Sequence, residues 1–190
     1  MNVFLIHGSY GKPYENWFPW LDKELTERNI SFTAPSFPTP EHQYYPDWER
    51  LLRYYVDMGL INENTILIGH STGAICATTF IIKNSIRVKS LITVAGYNNY
   101  IGGDDYIDGL NQSFYVEDSE LKKVKDLTGK RFCFASTNDP FITISALHSF
   151  ADNVNGTLIE LTNAGHFNES AGYTEFPEIL ELITTIANEQ

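Results

Sequence analysis

Cysteine is scarce in this sequence, and so are long runs of apolar residues. Cys76 and Cys133 are the two cysteines among 190 residues, and both have apolar neighbours. Such thiols are typical of a packed core rather than of a disulfide or a metal site. The longest apolar runs, such as Val3 to Ile6 and Ile66 to Ile68, are far shorter than the roughly 20 residues that a membrane-spanning helix needs. We therefore expect no disulfide, no metal centre and no membrane insertion.

Positive charge is also scarce, because 13 Lys and Arg residues stand against 24 Asp and Glu, for a formal net charge of −11 at pH 7. Phosphate backbones and anionic membrane surfaces repel such a chain, which disfavours nucleic acid and membranes as partners. No positively charged leader with a long apolar segment is recognisable after Met1. We therefore expect a cytoplasmic protein.

Apolar segments of strand length alternate with amphipathic segments of helix length. This alternation predicts an α/β fold in three layers, with a mostly parallel six-stranded sheet and helices on both faces. A chain of this length fits one domain spanning residues 1–190. The predicted strands are Asn2 to His7, Ser31 to Ala34, Thr65 to Gly69, Val88 to Ala95, Arg131 to Ser136 and Thr157 to Leu161.

Five helices are predicted between and after these strands from the spacing of apolar residues. They lie around Trp17 to Leu25, from Pro46 to Gly59, from Thr72 to Ile82, near Ile142 to Ala151, and from Phe176 to Ile186. The segment from Tyr97 to Asp118 has no clear period and is rich in Gly, Asp, Asn and Tyr. We interpret this segment as a short cap or lid loop.

The strongest local motif is Gly69-His70-Ser71-Thr72-Gly73, which matches the G-x-S-x-G nucleophile elbow. In that motif the serine occupies a tight turn between a strand and a helix. Thr65 to Ile68 supply the apolar strand before the turn, and small residues open the helix after it. The pattern alone is loose, but this setting predicts that Ser71 is a nucleophile.

A serine hydroxyl needs a base to take its proton and a third group to orient that base. The chain order expected in this fold is Ser, then Asp or Glu, then His. Asp139 follows the fifth predicted strand and His166 follows the sixth, so both lie at the carboxyl edge of the sheet. Asn138 and Asp152 are the nearest competitors of Asp139.

The other histidines fit the role of base less well. His42 lies in a proline-containing loop, His148 lies inside a helix, and His70 is too close to the serine in sequence for its ring to face the hydroxyl. Acyl transfer also needs N–H donors for the developing oxyanion. We expect these from the backbone of Thr72, just after the nucleophile, and of Ser9, in the loop after the first strand.

Together these segments resemble the small serine hydrolases related to retinoblastoma-binding protein 9. The resemblance runs from end to end and rests on six stretches, which are Phe4 to Gly8, Asn16 to Leu21, the proline loop leading to Trp48, Gly69 to Ala74, Asn138 to Pro140, and Gly165 to Asn168. It implies a compact α/β-hydrolase and a triad of Ser71, Asp139 and His166. The Leu-x-Cys-x-Glu motif for a retinoblastoma-type partner is absent around both cysteines, so we do not expect that partner.

The sequence thus predicts a serine hydrolase that cleaves a small ester or amide through an acyl-enzyme, without a metal or organic cofactor. Four aromatic residues next to the predicted loops are candidates for lining the substrate pocket: Trp17, Tyr97, Phe141 and Phe167. Alternatives remain open at this point. An acyltransferase, a thioesterase or an aminopeptidase would use the same triad, and a binding module could keep the fold without turnover.

Overall fold

One parallel sheet forms the centre of the computed structural model, which describes residues 1–102 and 105–189. Its strands are β1 (Asn2–Ile6), β2 (Ser31–Thr33), β3 (Thr65–His70), β4 (Val88–Val94), β5 (Thr128–Ser136) and β6 (Thr157–Leu161). Their spatial order is β2-β1-β3-β4-β5-β6, and every neighbouring pair is parallel. The predicted six-stranded architecture is confirmed.

Helices cover both faces of the sheet. Within the described residues they are α1 (Phe18–Glu27), α2 (Tyr45–Asp57), α3 (Thr72–Asn84), α4 (Asp105–Asn111), α5 (Asp118–Leu121), α6 (Ile144–Asn153) and α7 (Pro177–Asn188). In β1, Val3 and Leu5 pack in one buried cluster with α1 and α7. Phe4 and Ile6 pack in a second cluster with α2 and α3. Successive strand residues point to opposite faces, so two apolar clusters on one strand mean a sheet buried on both sides.

The strand order reverses next to β1. The chain runs from β1 to the edge strand β2 on one side, and then crosses to β3 on the other side of β1. Such a reversal separates the connections at the carboxyl ends of the two strands and leaves a crevice between them, where ligands bind in open α/β sheets. The loop after β1 begins at His7, and the turn after β3 contains Ser71. The topology thus brings the two segments together.

Two predicted elements differ from the structure by more than two residues. Strand β5 begins at Thr128 rather than Arg131, because Thr128 to Lys130 pair with β4 although they carry no run of apolar side chains. The segment from Tyr97 to Asp118, predicted as a loop, is partly helical. It contains α4 and a 3-10 turn at Gln112–Phe114, while Gly103 and Asp104 lie outside the described residues.

No helix within residues 1–102 and 105–189 has both the length and the apolar character needed to cross a membrane.

Candidate active site

Ser71 occupies the sharp turn between β3 and α3. Its backbone has φ 56° and ψ −124°, a conformation that costs a non-glycine residue on the order of 1–3 kcal/mol. Two glycines leave room for the turn, since a Cβ atom at Gly69 would clash with the carbonyl of Gly73, and one at Gly73 would clash with the carbonyl of Ile6. The elbow therefore depends on close backbone packing of α3 against β1 and β3.

Asp139 and His166 form a hydrogen-bonded pair after β5 and β6. The distance from His166 Nδ1 to Asp139 Oδ2 is 2.8 Å, and the Asp139 side chain is fully buried. The other carboxylate oxygen, Oδ1, accepts hydrogen bonds from the backbone N–H groups of Phe141 and Ile142. Because the carboxylate is held on both oxygens, it fixes the orientation of the His166 ring and keeps Nε2 available as a base.

Two further side chains hold the loop that carries His166. Asn138 Oδ1 accepts a hydrogen bond from the N–H of Gly165 at 2.9 Å, so this competitor of Asp139 supports the histidine loop instead. His70 Nε2 lies 2.9 Å from the carbonyl oxygen of His166. Asp152, the other competitor, lies in α6 at an exposed position. Of the three residues, Asp139 is therefore the one that contacts the histidine ring.

Ser71 and His166 line the same cavity, which also contains Tyr97. Within the described residues the His166 ring is hydrogen-bonded to Asp139 and not to Ser71, whose hydroxyl lies beside Tyr97. In unliganded active sites the bond between nucleophile and base is often formed only when substrate binds. The site thus holds a buried His–Asp pair and a serine in a strained turn on one cavity wall.

The loop after β1 approaches the nucleophile directly. A Cβ atom at Gly8 would lie 2.8 Å from Ser71 Cβ and 3.3 Å from Ser71 Oγ, so glycine is required here. Buried His7 supports this loop, because its Nε2 accepts the Phe37 N–H at 2.9 Å and its Nδ1 lies 2.8 Å from the Gly8 carbonyl. Burial lowers the pKa of His7, which keeps the ring neutral and able to make both bonds.

Ser9 and Thr72, the expected oxyanion donors, are in contact through their side chains. Ser9 Oγ lies 2.8 Å from Thr72 Oγ1, and both hydroxyls donate to Asn111 Oδ1. Gln43 Nε2 donates to both Ser9 Oγ and Asn111 Oδ1 at 2.7 Å. Neither Gln43 nor Asn111 was expected, because each comes from a segment without a periodic pattern.

The cavity has a volume of about 520 Å³, and apolar residues form a large part of its lining beside Ser71 and His166. Its apolar and aromatic lining residues are Ile101, Ile107, Pro140, Phe141, Ile142, Tyr10 and Tyr97. Among the described residues, no Asp, Glu, Lys or Arg lines it. A smaller cavity of about 180 Å³ adjoins it at Ser71 and His166 and has a more polar lining that includes Glu15 and Asn16.

Two of the four expected pocket residues line this cavity and two do not. Tyr97 and Phe141 border it, and the Phe141 ring packs edge-on against His166 with centroids 5.0 Å apart. Trp17 and Phe167 are fully buried in the core instead, which corrects their assignment to the pocket. Their rings pack against Phe176, and Trp17 Nε1 donates to the Phe167 carbonyl at 3.1 Å. Large aromatic side chains next to a site often form the core beneath it.

The described residues contain no cluster of three or more His, Cys, Asp or Glu that could hold a metal ion. Cys76 and Cys133 are both buried free thiols. Burial raises the pKa of each thiol, so neither favours the thiolate that metal binding and nucleophilic attack require.

The parallel sheet, the strand-turn-helix serine and the aspartate and histidine after later strands define an α/β-hydrolase. The crystal structure of the ydeN gene product from B. subtilis has this fold, with a TM-score of 0.86 and 24% identity over 99% of both chains. The family described as "Serine hydrolase" matches residues 3–185, so the chain belongs to that family.

Two curated relatives are similar over most of their length. YdeN of Bacillus subtilis (strain 168) is 26% identical over 185 residues, which cover 96% of this chain and 94% of YdeN. The serine hydrolase RBBP9 of Rattus norvegicus is 27% identical over 175 residues, which cover 90% of this chain and 86% of that protein. The resemblance inferred from the sequence is thus confirmed, and the protein is a hydrolase.

Proposed function

We propose that the protein hydrolyses a small carboxylic ester or amide through an acyl-enzyme on Ser71. The observation that carries this proposal is the buried Asp139–His166 pair, joined at 2.8 Å, in the same cavity as a serine held in a strained elbow. This arrangement supplies a nucleophile, a base and an orienting carboxylate.

The reaction consists of two steps, acylation of Ser71 and hydrolysis of the acyl-enzyme. Ser71 Oγ attacks the substrate carbonyl carbon while its proton passes to His166, and the tetrahedral intermediate collapses as His166 returns that proton to the leaving group. Water then attacks the acyl-enzyme, gives its proton to His166 and releases the acid, and Ser71 recovers its proton. The N–H groups of Thr72 and Ser9 stabilise the negative oxygen in both halves.

The cavity favours an uncharged, apolar acyl group. A volume of about 520 Å³ lies within the range of small-molecule sites, and the wall of Ile101, Ile107 and Ile142 offers an ionic group no partner. Burying an unpaired charge there would cost far more than burying a methylene chain. Short acyl or aryl-acyl esters therefore suit the site.

The test is steady-state hydrolysis of short p-nitrophenyl esters by purified variants. We expect Ser71→Ala and His166→Ala to lower kcat/KM by about 10³-fold or more, and Asp139→Asn to lower it by a similar factor, because each change breaks the proton path. Ser119→Ala, at an exposed serine in α5, is the matched control and should keep the wild-type rate. Wild-type turnover by Ser71→Ala would overturn the proposal, and so would a wild-type protein inactive towards every ester and amide offered.

A further inference from the structure

The side chains of the two oxyanion residues meet the hydroxyl of Tyr97 in one buried cluster. Tyr97 OH lies 2.9 Å from Thr72 Oγ1, and Thr72 Oγ1 lies 2.8 Å from Ser9 Oγ. Asn111 Nδ2 donates to Tyr97 OH at 2.9 Å. Tyr97 and Thr72 are almost fully buried, at 3% and 0% exposed, yet Tyr97 borders the cavity beside Ser71. A polar group of this kind at the wall of a reaction cavity is available to a bound substrate.

The proton of the Tyr97 hydroxyl has few acceptors. Its neighbour Asn111 Nδ2 is itself a donor, so the phenol proton goes to Thr72 Oγ1 at 2.9 Å or to one of the nearby hydroxyls of Ser71 and Tyr115. The Thr72 hydroxyl donates its own proton to Asn111 Oδ1, at 2.9 Å. The Tyr97 hydroxyl can therefore stop donating to Thr72 while the Thr72 hydroxyl keeps an acceptor for its own proton. The Tyr97 hydroxyl also lies next to the nucleophile.

The place of the developing negative charge follows from covalent geometry. When Ser71 Oγ bonds to the substrate carbonyl carbon, the oxyanion is attached to that same carbon. A donor that borders the cavity beside Ser71 and contacts the side chain of Thr72, as the Tyr97 hydroxyl does, is then also close to the oxyanion. We propose that the Tyr97 hydroxyl is a third hydrogen-bond donor to the oxyanion, beside the N–H groups of Thr72 and Ser9, and that Asn111 is the positioning residue that directs it. This inference rests on the proposed function of Ser71.

No proton is transferred from Tyr97 in this scheme. The phenol keeps its proton and exchanges one acceptor, Thr72 Oγ1, for the oxyanion, while the proton of Ser71 passes to His166 as before. Burial raises the pKa of Tyr97 to about 12, against the opposing effect of its hydrogen bonds to Thr72 and Ser71. The hydroxyl thus keeps its proton and remains a donor at neutral pH.

The first test is Tyr97→Phe, which removes the hydroxyl and keeps the ring. We expect kcat for p-nitrophenyl butyrate to fall by about 10- to 100-fold with little change in KM, because the lost bond is made in the transition state. Tyr100→Phe, at an exposed tyrosine of the same segment, is the control and should retain the wild-type kcat. A wild-type kcat in Tyr97→Phe would overturn the inference.

The second test is Asn111→Asp, which keeps the size of the side chain and replaces the donor Nδ2 by an acceptor oxygen. The phenol proton is then held by the new carboxylate, so we expect kcat to fall as in Tyr97→Phe. If Asn111 acts through Tyr97, the double variant is no slower than the slower single variant, within about twofold. Losses that multiply in the double variant would contradict the positioning role.

Circular dichroism and thermal unfolding of each variant keep folding separate from chemistry, since kcat is compared at a temperature where all variants are folded. If Tyr97→Phe does not fold, Asn111→Asp tests the same hydrogen bond from the Tyr97 hydroxyl to the oxyanion. A wild-type kcat in Asn111→Asp then overturns the inference. Ser71→Ala separates the two proposals. An inactive Ser71→Ala with a fully active Tyr97→Phe rejects the third donor alone, whereas an active Ser71→Ala rejects the acyl-enzyme itself.

Discussion

At His70, next to the nucleophile, the imidazole packs against Trp17, Phe18 and His166. Desolvation lowers the pKa of His70 to about 3, and the nearby His166 acts in the same direction. A neutral ring carries one proton, and the carbonyl of His166 at 2.9 Å from Nε2 places that proton on Nε2. His70 thus supports the backbone of His166, the base of the proposed mechanism.

This neutral histidine predicts a pH dependence of stability. Between pH 6.5 and about 3 the unfolded chain binds a proton at His70 that the folded protein does not bind, so the free energy of unfolding falls as the pH falls. The slope attributable to one such group is up to about 1.4 kcal/mol per pH unit. Urea unfolding from pH 7.5 to 5.5 should show this slope, and it should be reduced by that amount in His70→Gln.

The matched control for this measurement is His148→Gln. His148 is exposed in α6 and lies 2.7 Å from Glu160, so its ring remains in contact with water. The pH slope of His148→Gln gives the effect of replacing a histidine whose side chain is exposed. An unchanged slope in His70→Gln would show that the ring takes up its proton in the folded state.

Residues of the site differ in how far the sequence alone could locate them. Ser71, Asp139 and His166 each follow an apolar strand, and parallel strands end at one edge, so chain order was enough to propose that they meet. Asn111 and Gln43 carry no such signal, because their position depends on the path of irregular segments. Trp17 and Phe167 were misplaced for a related reason, since an aromatic residue beside a loop packs equally well below the site or inside it.

At the scale of the elements, the docking of α3 on β1 makes a prediction about glycine. A Cβ atom at Gly73 would clash with the Ile6 carbonyl and lie 2.6 Å from that of His7, and both are backbone atoms that cannot rotate away. We expect Gly73→Ala to lower the free energy of unfolding by about 3 kcal/mol or more and to abolish ester hydrolysis. Urea unfolding and the kcat/KM for p-nitrophenyl butyrate measure these effects.

Gly109 provides the control for this substitution. It lies in α4, and a Cβ atom there would meet no atom within 4 Å. Since alanine favours a helix over glycine by about 0.5–1 kcal/mol, Gly109→Ala should be neutral or slightly stabilising, with full activity. Equal stabilities of the Gly73 and Gly109 variants would contradict the close packing of α3.

The spacing of apolar residues in the sequence located five of the helices and all six strands. It did not predict segments whose structure depends on contacts with distant parts of the chain. Thr128 to Lys130 join β5 because β4 offers backbone partners at Val88 and Ser90, not because of their own side chains. Helix α4 was missed because its seven residues are too few to show an amphipathic period. Short elements of this kind owe their structure to what they pack against.

For the whole molecule, the net charge of −11 and the apolar cavity both disfavour anionic substrates. An anionic acyl group meets a repulsive field on approach and, among the described residues that line the cavity, no cationic partner. We expect kcat/KM for mono-p-nitrophenyl glutarate to be roughly tenfold or more below that for p-nitrophenyl butyrate, with a smaller difference at high salt. Equal values at low salt would contradict an uncharged acyl pocket.

The central claim is that Ser71 becomes covalently bonded to the substrate's acyl carbon. A fluorophosphonate probe reports on it directly, because phosphorus is attacked by the same activated hydroxyl. Intact-mass spectrometry with peptide mapping should find one phosphonyl adduct, on Ser71. The adduct should be absent in Ser71→Ala and form far more slowly in His166→Ala. An adduct on another residue, or equal labelling of wild type and Ser71→Ala, would contradict the account.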